Sequence, residues 1–166
     1  MSEYVTEFGS LNDFKKGGVE IIDDDPKNYV FSNVFEVAHA SAPYERVAVG
    51  KNFDYVIEAL RAEGTSPWYT AAHDEFALCM DGTIEVHLVK LDDPSIVARE
   101  TQGAIRLPFD PQGPSMGRIT LGRGHMALLP TGAAYRFHAE APSVAIVQTM
   151  EGAVTVQKWA EICQTN

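Results

Sequence analysis

Between positions 73 and 87 the chain reads "HDEFALCMDGTIEVH", a run that holds two histidines, two glutamates, two aspartates and a cysteine. These are the side chains that ligate divalent metals. His73 and Glu75 stand two residues apart, so on a strand they share a face, and Glu85 and His87 do the same. His125 and His138 follow further along. Two imidazoles and one carboxylate on one side of an ion are the ligand set of non-haem Fe(II) oxygenases, and His73, Glu75 and His138 are the candidates here. The same residues also fit a plainer reading, in which the histidines are surface or hydrogen-bonded groups and the carboxylates line a solvated strand edge. Cys79, inside the apolar run "FALCM", fits a buried small hydrophobe better than a nucleophile. The sequence has no Ser/His/Asp arrangement, P-loop or GxGxxG that would suggest another catalytic class.

These residues must be positioned by a β-rich chain. "FALCM" (76–80), "TIEVHLVKL" (83–91), "GRITL" (117–121), "HMALL" (125–129), "AYRFHAE" (134–140) and "SVAIVQTM" (143–150) are short and rich in strand formers. Asp81-Gly82, Gly122-Arg123-Gly124, Pro130-Thr131-Gly132, Ala141-Pro142 and Glu151-Gly152 punctuate them as turns. "VEII" (19–22) and "YVFSNVFEVAHA" (29–40), separated by "DDDPKN", are expected to be strands as well. In "KNFDYVIEALRAEG" the apolar residues Phe53, Val56, Ile57 and Leu60 have helical spacing, but the position before a β-run favours a strand over 56–62. Residues 91–116 carry several Pro and Gly and are expected to form an insertion between strands, long enough to cover a barrel mouth or make a contact surface. Many short strands at close spacing predict a sandwich or barrel, all-β in class. Residues 1–18 are expected to be an N-terminal arm and 19–166 one domain.

Composition narrows the function. The hydrophobic fraction is 45%, enough for a packed core. The net charge of −10 disfavours nucleic acid and anionic membranes as partners. No apolar run approaches the roughly 18 residues of a membrane span. The acidic start "MSEYVTEFGS" lacks a secretory h-region, and Cys79 and Cys163 are expected to be reduced thiols; both predict a cytoplasmic protein.

Two stretches resemble the motifs of the cupin family. Glu75 and Gly82 have the E-x6-G spacing of the first motif, and "GHMALLPTGAAY" keeps the glycine–proline–glycine frame of the second at Gly124, Pro130 and Gly132. The resemblance implies a cupin-type small β-barrel, a jelly roll whose hairpins aim side chains into its interior. It departs at the ligands. The two histidine positions of the first motif fall on Trp68 and Thr70, or on Tyr69 and Ala71, depending on the gap before Glu75; the histidine of the second motif is Tyr135. Of four expected ligands only Glu75 remains, so the usual metal site is absent and Thr70, His73, Glu75 and Tyr135 outline a degenerate one. Tyr135 is expected to plug the position with a hydrogen-bonded phenol.

The run "AEGTSPWYTAAHDEFALCMDGTIEVHLVKLDDP", followed by "GRGHMALLPTGAAYRF", is also similar to the small subunit of two-component hydroquinone 1,2-dioxygenases. That resemblance implies a heterotetramer with a large cupin subunit, which holds the Fe(II) and opens hydroquinone to 4-hydroxymuconic semialdehyde, while the small subunit binds no metal and is not active alone. Under it Trp68 and Tyr69, in "SPWYT", are candidates for a substrate-pocket or interface surface facing an aromatic diphenol, against the alternative that Trp68 closes this chain's own barrel. Tyr4 and Phe8 in the arm could pack on a partner or belong to a frayed tail. Two other functions stay open: a stand-alone cupin with altered metal ligands, and a cupin that binds a small molecule without catalysis.

Overall fold

The structure is a computed structural model that describes residues 9–25 and 31–162. Its elements in chain order are α1 (Val34–Ala40), β1 (Arg46–Asn52), β2 (Tyr55–Thr65), β3 (Tyr69–Ala71), β4 (Glu75–Asp81), β5 (Thr83–Lys90), β6 (Ala104–Arg106), β7 (Ser115–Gly122), β8 (Met126–Leu129), β9 (Ala133–Met150), β10 (Thr155–Val156) and α2 (Trp159–Ile162).

The long strand β9 organises the fold. Its second half pairs with β2 on one side and β4 on the other, and its first half pairs with β3 and β5. The sheet therefore folds over through β9 into two layers, β10-β1-β2-β9-β4-β8 and β6-β3-β9-β5-β7. This is the expected all-β jelly roll. Alternation along the strands sends Leu60, Ala77, Ile84, Val86, Leu121, Leu129, Phe137 and Val147 into one shared core between the layers. Burial of each large side chain contributes about 1.5–3 kcal/mol.

Most expected strands are present, including β2 over the ambiguous segment. There Val56, Glu58, Leu60 and Ala62 are buried in alternation, so the period of two is the one the fold uses. Three expectations are corrected. Residues 34–40 form α1, not a strand: the Asn33 side chain caps it by accepting from the Phe35 and Glu36 amides, and Val37 and Ala38 bury one face. "VEII" forms no strand, and Ile22 is 90% exposed. The segments 134–140 and 143–150 are one strand: the register moves from Ala62↔Ser143 to Gly64↔Ala139, so Pro142 sits in an unpaired bulge where no amide is required. β1, β3, β6 and β10 add to the expected strands; β6 lies within the 91–116 insertion and pairs with β3. Among the described residues no helix is long and apolar enough to cross a membrane.

The first-motif turn anchors the described part of the arm. Gly82 has φ +77°, and a Cβ there would meet the Ser143 hydroxyl oxygen at 2.1 Å, so only glycine fits. Asp81 beside it accepts from the Leu11 amide at 2.8 Å and from Arg123 at 2.6 Å, while Leu11 packs on Ala38 and Val144. Tyr4 and Phe8 lie outside the described residues, as do Cys163, Tyr29 and Val30. Burial works against the charge of Asp81, but the Leu11 amide and Arg123 together hold its carboxyl below the ordinary value of 3.8. A depressed native value means that the contact stabilises above that ordinary value and is lost as pH falls through the native one. Acidification should therefore release residues 11–13, and Asp81→Ala should speed exchange of the Leu11 amide about tenfold at neutral pH, as read by hydrogen exchange.

Candidate functional site

The degenerate motif residues Glu75 and Tyr135 meet inside the barrel, and what they meet is Arg46. This arginine opens β1, Glu58 sits mid-β2 between inward Val56 and Leu60, Glu75 opens β4, and Tyr135 is the third residue of β9. All four are fully enclosed, at 0–1% exposure. The Arg46 guanidinium donates from Nε to Glu58 Oε2 at 2.5 Å, from Nη2 to Glu75 Oε1 at 3.1 Å and from Nη1 to the Tyr135 hydroxyl at 2.9 Å. The Tyr135 hydroxyl donates in turn to Glu75 Oε2 at 2.6 Å, and the Thr155 hydroxyl donates to Glu58 Oε1 at 2.6 Å. The Tyr69 ring lies against the guanidinium, 5.3 Å from centroid to carbon.

A charge taken from water into an apolar interior costs several kcal/mol unless it is paired and hydrogen-bonded. Here the planar guanidinium is matched to two carboxylates and a phenol. Burial works against the Arg46 charge, but Tyr135, Glu58 and Glu75 outweigh it, and its proton is held more tightly than an ordinary arginine's. Burial pushes the Tyr135 phenol well above its ordinary value; Arg46 opposes this and Glu75 adds to it, so the phenol stays neutral and keeps its donor for Glu75. The result is a fixed organic cation at the centre of the barrel, held by Glu58 and by Glu75 and Tyr135, which stand at two of the motif's ligand positions.

Fe(II) does not fit this donor set. Both Glu75 oxygens and the Glu58 carboxylate already face a guanidinium or a hydroxyl, the phenol is protonated, and no imidazole is within the network. The histidines lie elsewhere. His73 Nε2 accepts from the Met150 amide at 3.3 Å and lies 3.1 Å from the Thr149 hydroxyl. His138 faces outward on β9, 2.8 Å from Thr65. His73, Glu75 and His138 are therefore not brought together, and among the described residues no group of three or more His, Cys, Asp or Glu is placed to hold an ion. Glu85 and His87 pair at 3.0 Å on the outside, with Arg118 at 3.3 Å from Glu85; His125 accepts the Gly122 amide in a turn. Cys79 is fully buried and burial raises its thiol, as befits a packing residue.

"SPWYT" divides between the two faces of its strand. Tyr69 points inward, 4% exposed and 5.8 Å from the Tyr135 ring centroid, so it presents no surface to a partner or a substrate. Thr70, on the opposite face, is buried and donates to the Ala133 carbonyl at 2.9 Å. Of the two motif alignments, that with Tyr69 and Ala71 matches the inward face. Trp68 lies outside the barrel. It packs on Leu91, Leu107 and Ala134, its Nε1 donates to Asp110 at 3.0 Å, and the Arg136 guanidinium sits 4.6 Å above its ring. With Arg106 and Phe109 it lines an open groove of about 630 Å³.

This chain is 67% identical to a chain of hydroquinone 1,2-dioxygenase from Sphingomonas sp. TTNP3, solved with 4-hydroxybenzoate bound, over 98% of its own length and 99% of that chain, with a TM-score of 0.94. It belongs to the hydroquinone 1,2-dioxygenase family. Hydroquinone 1,2-dioxygenase PnpCD, solved with Cd2+ and 4-hydroxybenzonitrile, contains a chain 52% identical over 99% of both chains, with a TM-score of 0.92. A longer chain of PnpCD, solved with Fe3+, shares the fold alone: 14% identity, TM-score 0.62, covering 89% of this chain and 41% of that one. A cupin-2 domain containing protein from Shewanella frigidimarina, 16% identical over 76% of this chain and 100% of that one with a TM-score of 0.52, shares the fold as well. No family model matches the sequence, and no curated protein does.

The residues that decide how this chain fills its barrel, Arg46 and Glu58, are not among those that the sequence motifs single out. A signal existed. In "ERVAVG" and "YVIEAL" a basic and an acidic residue each take the place of an apolar one in a strand's alternation. Opposite charges at inward positions of neighbouring strands imply a buried pair.

Proposed function

We propose that this chain is the metal-free small subunit of a two-subunit, Fe(II)-dependent hydroquinone 1,2-dioxygenase, that it is inactive alone, and that it completes the active site of a larger cupin subunit. The observation that carries this reading is the Arg46 network: a chain akin to oxidative ring-cleaving enzymes has its own barrel centre closed by a guanidinium, two carboxylates and a phenol. The match to two kinds of PnpCD chain, one of this length and one much longer, supports a two-subunit enzyme. The relatives' bound 4-hydroxybenzoate and 4-hydroxybenzonitrile are para-substituted phenols, which supports hydroquinone as substrate.

In this reading the chain's residues take no part in bond making. Ring opening adds both atoms of O2 to hydroquinone and yields 4-hydroxymuconic semialdehyde. The large subunit's iron supplies that oxygen chemistry. This chain supplies a rigid wall that excludes water and orients the ring. Trp68 is the outward residue best suited to form that wall, because it is flat, apolar and held by Arg136 and Asp110.

Reconstitution tests the reading. The chain purified alone should consume no O2 with hydroquinone and carry no stoichiometric iron. Co-expressed with a larger cupin chain, it should co-purify with it and convert hydroquinone to a product heavier by two oxygen atoms. Ring cleavage by the lone chain, with iron bound in proportion to it, would sink the proposal in favour of a stand-alone metal cupin. Phenol binding by the lone chain together with failure to join any larger chain would favour a binding cupin.

A further inference from the structure

The groove beside Trp68 holds positive charge that its own surroundings leave unbalanced. Trp68 stands just before β3, Arg136 is in the first half of β9 and Arg106 ends β6; the insertion adds Pro108, Phe109 and Asp110 to the lining. Arg46, Arg61, Arg118 and Arg123 each have a carboxylate partner, whereas among the described residues Arg106 and Arg136 have none. The Arg136 Nε is enclosed and has no hydrogen-bond partner, which is uncommon for a donor in a folded chain. Asp110 is the one carboxylate among the lining residues, and its Oδ1 already accepts from the Trp68 Nε1 at 3.0 Å. Two guanidiniums therefore face one committed carboxylate, in a chain whose net charge is −10. A positive groove on so acidic a chain selects locally for an anion.

The side chains also say which anion. The Arg136 guanidinium sits 4.6 Å from the centroid of the Trp68 ring, a cation–π contact that fixes it without using up its N–H donors. A guanidinium held in place presents paired donors that match the two oxygens of a carboxylate. One unit of surplus positive charge suits a monoanion, and Asp110 would repel the second charge of a phosphate or sulfate. Trp68 and the half-exposed ring of Phe109 give the groove aromatic walls, which favour a flat conjugated body over a flexible aliphatic one. The volume of about 630 Å³ is that of a small-molecule site rather than of a deep cofactor cavity.

We propose that this groove binds a planar conjugated monocarboxylate, its carboxylate held by Arg136 and Arg106 and its body lying between Trp68 and Phe109. The open-chain product of the reaction proposed above belongs to this class; that link rests on the proposed function, while the binding itself does not. The probe is sorbate, a conjugated monocarboxylate, with its uncharged methyl ester as the control. The chain has two tryptophans, so in the full chain carrying Trp159→Phe the fluorescence reports Trp68 alone. Sorbate should change that fluorescence with a dissociation constant on the order of 1 mM, as expected of a small ligand in an open groove. The methyl ester should bind at least about 10-fold more weakly, and so should sorbate to Arg136→Gln and to Arg106→Gln, each with unchanged circular dichroism. Arg106 is exposed, so its variant reads the site even if loss of the half-buried Arg136 disturbs the fold. Arg118→Gln, which removes an arginine paired with Glu85 away from the groove, should bind sorbate as before. No response to sorbate up to about 20 mM overturns the proposal, and so does a methyl ester that binds equally well. Displacement of sorbate by phosphate at matched ionic strength would make this a general anion patch, and loss of binding on addition of a larger cupin chain would assign the groove's anion to that chain; either result overturns the proposal. Sorbate binding by a chain that yields no ring-cleaving enzyme with any larger cupin sustains the site and sinks only the proposed function.

Discussion

Arg46→Met should lower the stability of this chain by about 3–5 kcal/mol, because it leaves Glu58 and Glu75 as buried carboxylates with no cation between them. For a domain of this size that is a fall in melting temperature of about 10 °C, read by calorimetry. Size alone cannot compensate, since methionine fills much of the volume but supplies no donors. The triple variant Arg46→Met, Glu58→Gln, Glu75→Gln should recover most of the loss, because it removes the stranded charges rather than the packing. Arg46→Ala, which leaves room, should be partly restored by millimolar guanidinium and not by an equal concentration of sodium. Unchanged melting in Arg46→Met would show that the ion network does not hold the barrel together. Melting of the triple variant as low as that of the single one would show that the stranded carboxylates are not the cause.

On the proposed function, Trp68→Ala should reduce the kcat/KM of the reconstituted two-subunit enzyme by about 10–100-fold, the range expected when a ring is no longer held in a productive orientation. The side chain lies on the outer surface, pinned by Arg136 above and Asp110 at its edge, so its loss should cost the chain little stability. Trp68→Phe, which keeps a flat apolar face, should retain most of the activity. Asp110→Ala separates the pinning from the platform: it should raise KM more than it lowers kcat, because the indole stays but is less well fixed. A Trp68→Ala enzyme that assembles normally and turns over at the full rate would remove Trp68 from the reaction and leave it as packing over Leu91, Leu107 and Ala134.

Much of the architecture is legible because it is local. Alternating apolar residues, Asp-Gly and Pro-Thr-Gly turns and the spacing from Glu75 to Gly82 are statements about neighbours in the chain, and β2, β4, β5, β7 and β8 follow from them. The departures are of two kinds. α1 reads as a strand because an aromatic, β-branched run suits one until a capping Asn33 and a sheet to pack on make the helix the better burial. β9 reads as two strands because a proline usually ends a strand, and only the register of β2 against it shows that Pro142 occupies a bulge.

The sequence alone determined that imidazole is missing where a barrel of this type would ligate an ion, since that is a matter of residue identity at fixed spacing. What stands there instead was decided by the tertiary structure. Arg46 is 29 residues from Glu75 and 89 from Tyr135, and no local pattern joins them. They meet because β1, β4 and β9 each turn one residue inward at the same depth. The enclosure then demands that a buried cation find its counter-charges. The orientation of "SPWYT" was settled in the same way: a strand's period of two sends Trp68 and Tyr69 to opposite faces, and only the closed barrel says which face is inside.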